Sequence, residues 1–387
     1  MDCFDLHTRI LVGGDALKET LAKADRVFII TDPFMLKSVN YLVNQLHEHA
    51  EHRIFSDIHP DPDIGIVTEG VGQILDFKPD TVVAFGGGSA IDAAKAIVYF
   101  SARQFSMQDT NFIAVPTTSG TGSEVSKFAV ITDKEKSIKY PLIDDSLLPD
   151  FAALDAELTR TVPPSVTADT GMDVLTHAIE AFTCTKANDF TDAFAEKAIR
   201  LVHRHLLTTY REPDNMEARQ AMHNASCMAG AAFSNAGLGL CHSMAHSLGG
   251  HIHMAHGRAC ALLLPFVMSF NAGCESALTP TATRYARMAD ELGLGSSSTR
   301  QSALNLIHLV RRMEQQMKMP QSLRQAGVDA KTFEEVLDSM AEAALQDRCM
   351  QTTPKPCTKD DIIDLYRQAF NHGSRPRTVN LNLDLKR

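Results

Sequence analysis

Asp173 and His177 stand four residues apart in GMDVLTHAIEAF, and His242 and His246 repeat that spacing in CHSMAHSL, with His256 following in MAHG. Residues at i and i+4 share one face of a helix, so each pair presents its donor atoms together. A carboxylate beside imidazoles suits a divalent first-row ion, and Fe(II), Zn(II) and Mn(II) all accept hard oxygen with borderline nitrogen. Five of the 16 histidines (His242, His246, His251, His253 and His256) fall in one short window, and spacing alone does not choose among them. A single histidine on an apolar helix is ordinarily a packed core residue. Two paired motifs make the metal the better reading.

Two loops have the composition of a phosphate cradle. Phe85-Gly86-Gly87-Gly88-Ser89 follows the apolar run TVVAF and opens the helical segment AIDAAKAIVYF. Glycines at a strand-to-helix turn let backbone approach a phosphate, and the helix end offers free N–H groups. The pattern is not GxGxxG, so a variant cradle competes with a plain tight turn. The second loop, Pro116–Glu124 (PTTSGTGSE), follows FIAV and sets hydroxyls and two glycines at the carboxyl end of a strand, where open α/β sheets bind ligands. A polar cap is its simpler reading. Asp32, closing RVFIIT, suits a ribose 2′-OH and repels a 2′-phosphate, which favours NAD over NADP, although aspartate after a strand is also a common turn residue.

These motifs need a framework of two kinds. Arg26–Thr31, Thr81–Phe85 and Phe112–Val115 are continuous apolar runs alternating with helical stretches such as Asp63–Phe77, the pattern of a parallel sheet covered on both faces. Lys127–Asp133 and Ser137–Ile143 predict a hairpin appended to that sheet. After Pro163-Pro164 the runs give way to long periodic segments: Ser165–Phe182, Asp189–Leu207, Met216–Phe233, Thr299–Met317 and Thr332–Ala344. Proline fixes φ and disfavours helix before it. We therefore expect an α/β dinucleotide-binding domain over 1–162 and an all-helical metal-binding domain over 163–387, with no helix beyond about His372.

Composition narrows the field. The chain has 387 residues, 44% hydrophobic and 22% charged, and a net charge of −10. That is a folded protein large enough for two domains, without the basic blocks that track nucleic acid. No apolar stretch is long enough for a membrane span, and the N-terminus lacks the h-region of a secretory signal. Eight dispersed cysteines without a CxxC pair point to a reducing, cytoplasmic setting.

Phe85–Ser89 with Asp92, Pro116–Glu124, Gly171–His177 with its AIEAF continuation, and Gly237–His256, in this order, resemble the iron-containing (group III) alcohol dehydrogenases from about Phe4 to Phe370. The resemblance implies the dehydroquinate synthase-like pairing of an NAD-binding α/β domain with an all-α domain, a cleft between them, and homodimers or larger homo-oligomers. It implies that Asp173, His177, His242 and His256 hold Fe(II), or Zn(II), and that His246 lies near the reacting centre without binding the metal. Gly87, Gly88, Ser89 and Asp92 would cradle the pyrophosphate, with Thr117, Thr118 and Thr121 in the second cofactor loop. Lys139 would face the nicotinamide, Asp32 the ribose, and Phe233 and Cys349 the substrate, although Gln351–Pro354 departs from the family's glycine/asparagine-rich run. FDLHTRI, SDIHPDPDI and IKYPLIDDSLLPD most resemble the branch found in propanediol-utilisation microcompartments. That branch implies 1-propanol and propionaldehyde as substrates, NAD regeneration, and a shell-protein partner reached through the N-terminus. Three rivals are a glycerol dehydrogenase or dehydroquinate synthase-like reaction on the same fold, a non-catalytic microcompartment component, and a structural zinc site.

Overall fold

In a computed structural model the described residues are 4–105, 110–135 and 138–372, without the side chains of Phe105, Ile138 and Lys139. Six strands form one parallel sheet: β1 (Arg9–Val12), β2 (Arg26–Thr31), β3 (Glu51–Phe55), β4 (Thr81–Gly86), β5 (Asn111–Pro116) and β8 (Phe151–Leu154). Its order is β1-β8-β5-β4-β2-β3. Helices α1 (Ala16–Leu21), α2 (Val39–Val43), α3 (Ile64–Phe77) and α4 (Gly88–Phe105) join them. The chain steps from β2 outward to β3, then back across β2 to β4 and on to β5. The direction of winding thus reverses between β2 and β4, and such a switch point opens a crevice beyond the strand ends.

Side chains alternate across the sheet, as period-2 geometry requires. On β4, Val82 and Ala84 pack with Ile91, Ala94 and Ile97 of α4 on one face, while Val83 and Phe85 join Leu17, Leu21 and Leu42 on the other. Both faces are covered, which explains why β2, β4 and β5 read as continuous apolar runs.

The predicted hairpin forms, but as its own two-stranded sheet of β6 (Phe128–Asp133) and β7 (Ile138–Ile143). The place beside β5 is taken by β8, and neither hairpin strand pairs with the main sheet. It packs instead through Ile131 and Leu142 against the core that α3 and α4 share.

From Pro164 onward the described residues hold nine α-helices: α5 (Pro164–Thr183), α6 (Asp189–Arg211), α7 (Met216–Ala236), α8 (Leu240–Ile252), α9 (His256–Ala272), α10 (Pro280–Glu291), α11 (Thr299–Gln316), α12 (Ala330–Gln346) and α13 (Lys359–Asn371). They share one apolar core. α5 is central, and every residue from Gly171 to Thr183 is buried. Asp173, His177 and Glu180 are therefore buried polar groups, and such groups are costly unless paired or bound to an ion.

Residues 373–387 and 1–3 lie outside the described residues. Near the N-terminus, Phe4 stacks on Phe190 and Phe194 with ring centroids 5.9 and 5.3 Å away. The Asp5 N–H donates to Asn235 Oδ1 at 2.7 Å, and Arg9 and Ile10 are paired into the sheet edge.

Candidate metal centre and cofactor cleft

Three helices supply the donors. α5 sets Asp173 and His177 on one face, α8 brings His242, and His256 opens α9. The first turn of α9 lies hard against α5: a Cβ on Gly257 would fall 2.3 Å from the Asp169 carbonyl oxygen. Glycine at 257 permits the approach that puts His256 Nε2 3.4 Å from Asp173 Oδ1. His242 Nε2 lies 3.7 Å from the same oxygen, and His177 Nδ1 lies 4.0 Å from Asp173 Oδ2.

Asp173 Oδ1, His177 Nδ1 and His242 Nε2 are buried and have no hydrogen-bond partner. Each ring is held by its other nitrogen. His242 Nδ1 pairs with Glu180 Oε2 at 2.7 Å, which turns Nε2 toward Asp173. His177 bonds the Gly120 backbone, and Phe233 stacks on its ring at 4.6 Å. A carboxylate–imidazole pair behind a free ring nitrogen is the usual arrangement behind a metal ligand. Burial disfavours charge on His242, yet Asp173 and Glu180 outweigh it and raise the group to about 9. The pocket thus favours positive charge. Burial lowers His177 to about 4, which keeps its ring neutral and able to coordinate.

Among the described residues, Asp173, His242, His256 and Cys260 form one donor group whose ligand atoms all lie within 4.8 Å of one another. His177 stands just outside it, on the other oxygen of the Asp173 carboxylate, with its ring 4.5 Å from that of His242. Cys260 is on the face of α9 that His256 occupies one turn earlier, with Sγ 3.7 Å from His256 Nε2. The other histidines of the window have different duties. His251 bonds the Ser247 carbonyl of its own helix, and His253 ends α8 in the left-handed conformation. His246 points to the rim, 43% exposed, with Nδ1 3.0 Å from Asp347 Oδ2. Its ring stacks 5.3 Å from that of His256.

The glycine turn and the Pro116–Glu124 loop, the two candidate cofactor loops, meet at the switch point. A Cβ on Gly87 would sit 3.4 Å from Thr118 Oγ1, and one on Gly88 2.6 Å from Thr121 Cγ2, so the glycine turn lies directly against the second loop. Asp32 follows β2 and caps its own turn. Its Oδ1 accepts from the Phe34 and Met35 N–H groups at 2.9 and 3.0 Å. Its Oδ2 faces the glycine turn, 3.0 Å from where a Gly86 Cβ would be. Ser89 stands in the first turn of α4, and Thr117 donates its N–H to the Gly86 carbonyl at 3.0 Å.

Asp92 is placed differently from a phosphate ligand. Its oxygens accept from Ser123 Oγ at 2.6 Å and the Val130 N–H at 3.0 Å, so it fastens the second loop to the hairpin. Lys95, one turn on and buried, donates to the Ser126 and Phe128 carbonyls at 2.6 and 2.8 Å. Gly122, at φ +61°, meets Gly230 of α7 so closely that a Cβ would lie 2.5 Å from its Cα. The Gly122–Gly230 approach packs the second loop on α7, and Gly120, beside Thr170 and bonded by His177, ties it to α5. Phe128 in turn packs 6.2 Å from Phe233. The Lys139 backbone pairs with Thr132 in the hairpin, while its side chain lies outside the described residues. Cys349, two residues after Asp347, donates its N–H to Asp347 Oδ1 at 2.7 Å.

Glu180, Gly257, Cys260, Asp347 and Lys95 were not foreseen as site residues. Glu180 had a signal: it follows Asp173 and His177 at i+7 on the same helical face. Lys95 had one too, as a lone cation in the apolar stretch AIDAAKAIV.

A dinucleotide crevice at the switch point, tied to a buried cluster of unpartnered carboxylate and imidazole donors, defines a metal-assisted pyridine-nucleotide oxidoreductase. Comparison with known proteins agrees. The model of the iron-containing alcohol dehydrogenases matches residues 7–156, and that of the Fe-containing alcohol dehydrogenase family C-terminal region matches 167–370. The chain belongs to the iron-containing alcohol dehydrogenase family and is an alcohol oxidoreductase, with Fe(II) and NAD as the cofactors its family and fold imply. It is 47% identical over 376 residues to the 1-propanol dehydrogenase PduQ of Citrobacter freundii, covering 95% of this chain and 100% of that one. It is 39% identical to an NADPH-dependent butanol dehydrogenase of Clostridium saccharobutylicum, over 83% of this chain and 84% of the relative. Among solved structures, sulfoacetaldehyde reductase from Bifidobacterium kashiwanohense in complex with NAD+ superposes with a TM-score of 0.83 at 28% identity, covering 95% of this chain and 98% of that one. Among the described residues, no helix is long and apolar enough to cross a membrane.

Proposed function

We propose that this alcohol dehydrogenase interconverts 1-propanol and propionaldehyde with NAD(H), working chiefly as an aldehyde reductase that regenerates NAD. The observation that carries this reading is the set of buried, unpartnered atoms of Asp173, His177 and His242, reached by His256 and bonded through His177 to the second cofactor loop. Asp173, His177, His242 and His256 hold the metal. A divalent ion there supplies Lewis acidity toward an alcohol or aldehyde oxygen.

The remaining work falls to the chain's own groups. The glycine turn at Gly87 and Gly88 gives room for the pyrophosphate, with Ser89 at the start of α4 and Thr118 and Thr121 closing the opposite side. Asp32 Oδ2 accepts from ribose hydroxyls and repels a 2′-phosphate, which sets NAD apart from NADP. Asp92 is a positioning residue that keeps the second loop in place. Lys139 lies on the hairpin on the nicotinamide side. Phe233, stacked on His177, and Cys349 form apolar walls suited to a short neutral chain. His246, oriented by Asp347 and open to solvent, passes the proton between substrate oxygen and water.

A shell-protein partner reached through the N-terminus belongs to this proposal, with Phe4 packed on Phe190 and Phe194. Residence in a bacterial microcompartment and a homo-oligomeric state are part of the same proposal, supported by the likeness to PduQ. The test is anaerobic NADH oxidation by the iron-loaded protein across C2–C4 aldehydes. We expect propionaldehyde to give the highest kcat/KM. Absence of turnover with all of them would overturn the assignment.

A further inference from the structure

A second group of donors stands at the rim of the cleft. His246, Asp347 and Cys349 offer an imidazole nitrogen, a carboxylate oxygen and a thiol sulfur within 4.8 Å of one another, and none of the three belongs to the Asp173 cluster. The group is rigidly built. Asp347 ends α12 and caps the 3₁₀ turn Arg348–Thr352, with one oxygen on the Cys349 N–H and the other on His246 Nδ1. The turn is locked from behind by Thr352 Oγ1 donating to the Leu238 carbonyl and by the Thr185 N–H donating to the Thr352 carbonyl at 3.0 Å. His246 is 43% exposed, which gives an ion a way in and room for a water as fourth ligand.

We infer that His246, Asp347 and Cys349 form a second cation site, selective for Zn(II) over Fe(II), whose occupation reversibly shuts the cleft. Zinc takes three protein ligands and a water at about 2.0–2.3 Å in tetrahedral geometry, so side-chain shifts of about 1 Å complete the site. The thiol sets the preference, since soft sulfur selects zinc over the oxygen-seeking cations. On binding, the Cys349 thiol releases its proton to water and the sulfur forms a bond to zinc. The His246–Asp347 hydrogen bond gives way to one bond from each side chain to the ion. Thiolate and carboxylate together neutralise the dication. The inhibitory half of the inference rests on the reading of His246 as the proton-passing group and Cys349 as a substrate wall; the binding half does not.

The test uses the iron-loaded holoenzyme under anaerobic conditions, titrated with zinc chloride. The expected result is one additional zinc per chain with iron retained, a fall in propionaldehyde reduction of about 100-fold as His246 is withdrawn, and recovery with a chelator that leaves the iron in place. Cadmium chloride should produce a thiolate-to-cadmium absorption in the wild type that Cys349→Ser lacks and Cys260→Ser keeps. Asp347→Asn should weaken zinc binding about 10- to 100-fold. Failure to bind a second ion, one-for-one displacement of iron, or a cadmium band that survives Cys349→Ser would each overturn the site. Zinc bound at full occupancy without inhibition would overturn the inhibitory role. A holoenzyme that reduces no aldehyde would instead refute the functional reading, with the metal count and the cadmium band still deciding the site.

Discussion

The glycine turn and the metal centre meet in one cleft but are built by opposite means. At the turn the carboxylates are engaged by the chain itself: Asp92 uses both oxygens on Ser123 and Val130, and Asp32 spends one on its own turn. What the turn offers is space, kept open because Gly88 lacks a Cβ that would press on Thr121. In the helical half the side chains themselves are unsatisfied, with Asp173 Oδ1, His177 Nδ1 and His242 Nε2 buried and unpaired. One region is sensitive to atoms added and the other to atoms removed.

The largest effect should come from removing a donor. His256→Ala is expected to lose the bound metal and to lower turnover by about 10³-fold, several kcal/mol of Lewis-acid stabilisation; metal analysis beside NADH-linked rates checks both. Normal turnover with a full metal complement would show that side chains do not carry this half. Glu180→Gln probes the next layer. It weakens the contact behind His242 and the cap that Glu180 gives α8 through the Gly239 and Cys241 N–H groups. Metal affinity should fall about 10- to 100-fold, read by chelator competition.

Adding atoms tests the other side. Gly88→Ala should cost about 1–3 kcal/mol of cofactor binding through overpacking against Thr121, seen as a higher KM for NAD with metal content unchanged. Loss of metal in that variant would mean the two regions are not separable. The smallest change is expected from Asp32→Gly, which should narrow the preference for NAD over NADP by about tenfold as one repulsive charge is withdrawn. Steady-state kinetics with both cofactors measures it.

Sequence pattern revealed most where a physical constraint repeats. The apolar runs of β2, β4 and β5 announce a sheet covered on both faces, and the i, i+4 pairs announce which helical faces carry donors. It was silent on β1, β3 and β8, which are four or five residues long; β3, EHRIF, is a polar edge strand without a clear period. It also missed residues whose role exists only in the folded protein. Gly257 matters because α9 touches α5, Asp347 because the end of α12 returns to α8, and Glu180 because its carboxylate meets a helix start 59 residues away. A carboxylate or glycine has no local signature for such work. Asp92 shows the converse: its motif position suggested the cofactor, whereas its hydrogen bonds hold a loop.

The central claim is that separate helices aim their donors at one ion beside the nucleotide. Anomalous diffraction at the iron edge, from crystals grown anaerobically with Fe(II) and NAD, addresses it directly. A single peak per chain is expected at coordination distance, about 2.0–2.2 Å, from Asp173, His177, His242 and His256, with the nicotinamide ring lying next to it. A peak elsewhere, or a nicotinamide ring remote from those four side chains, would contradict it.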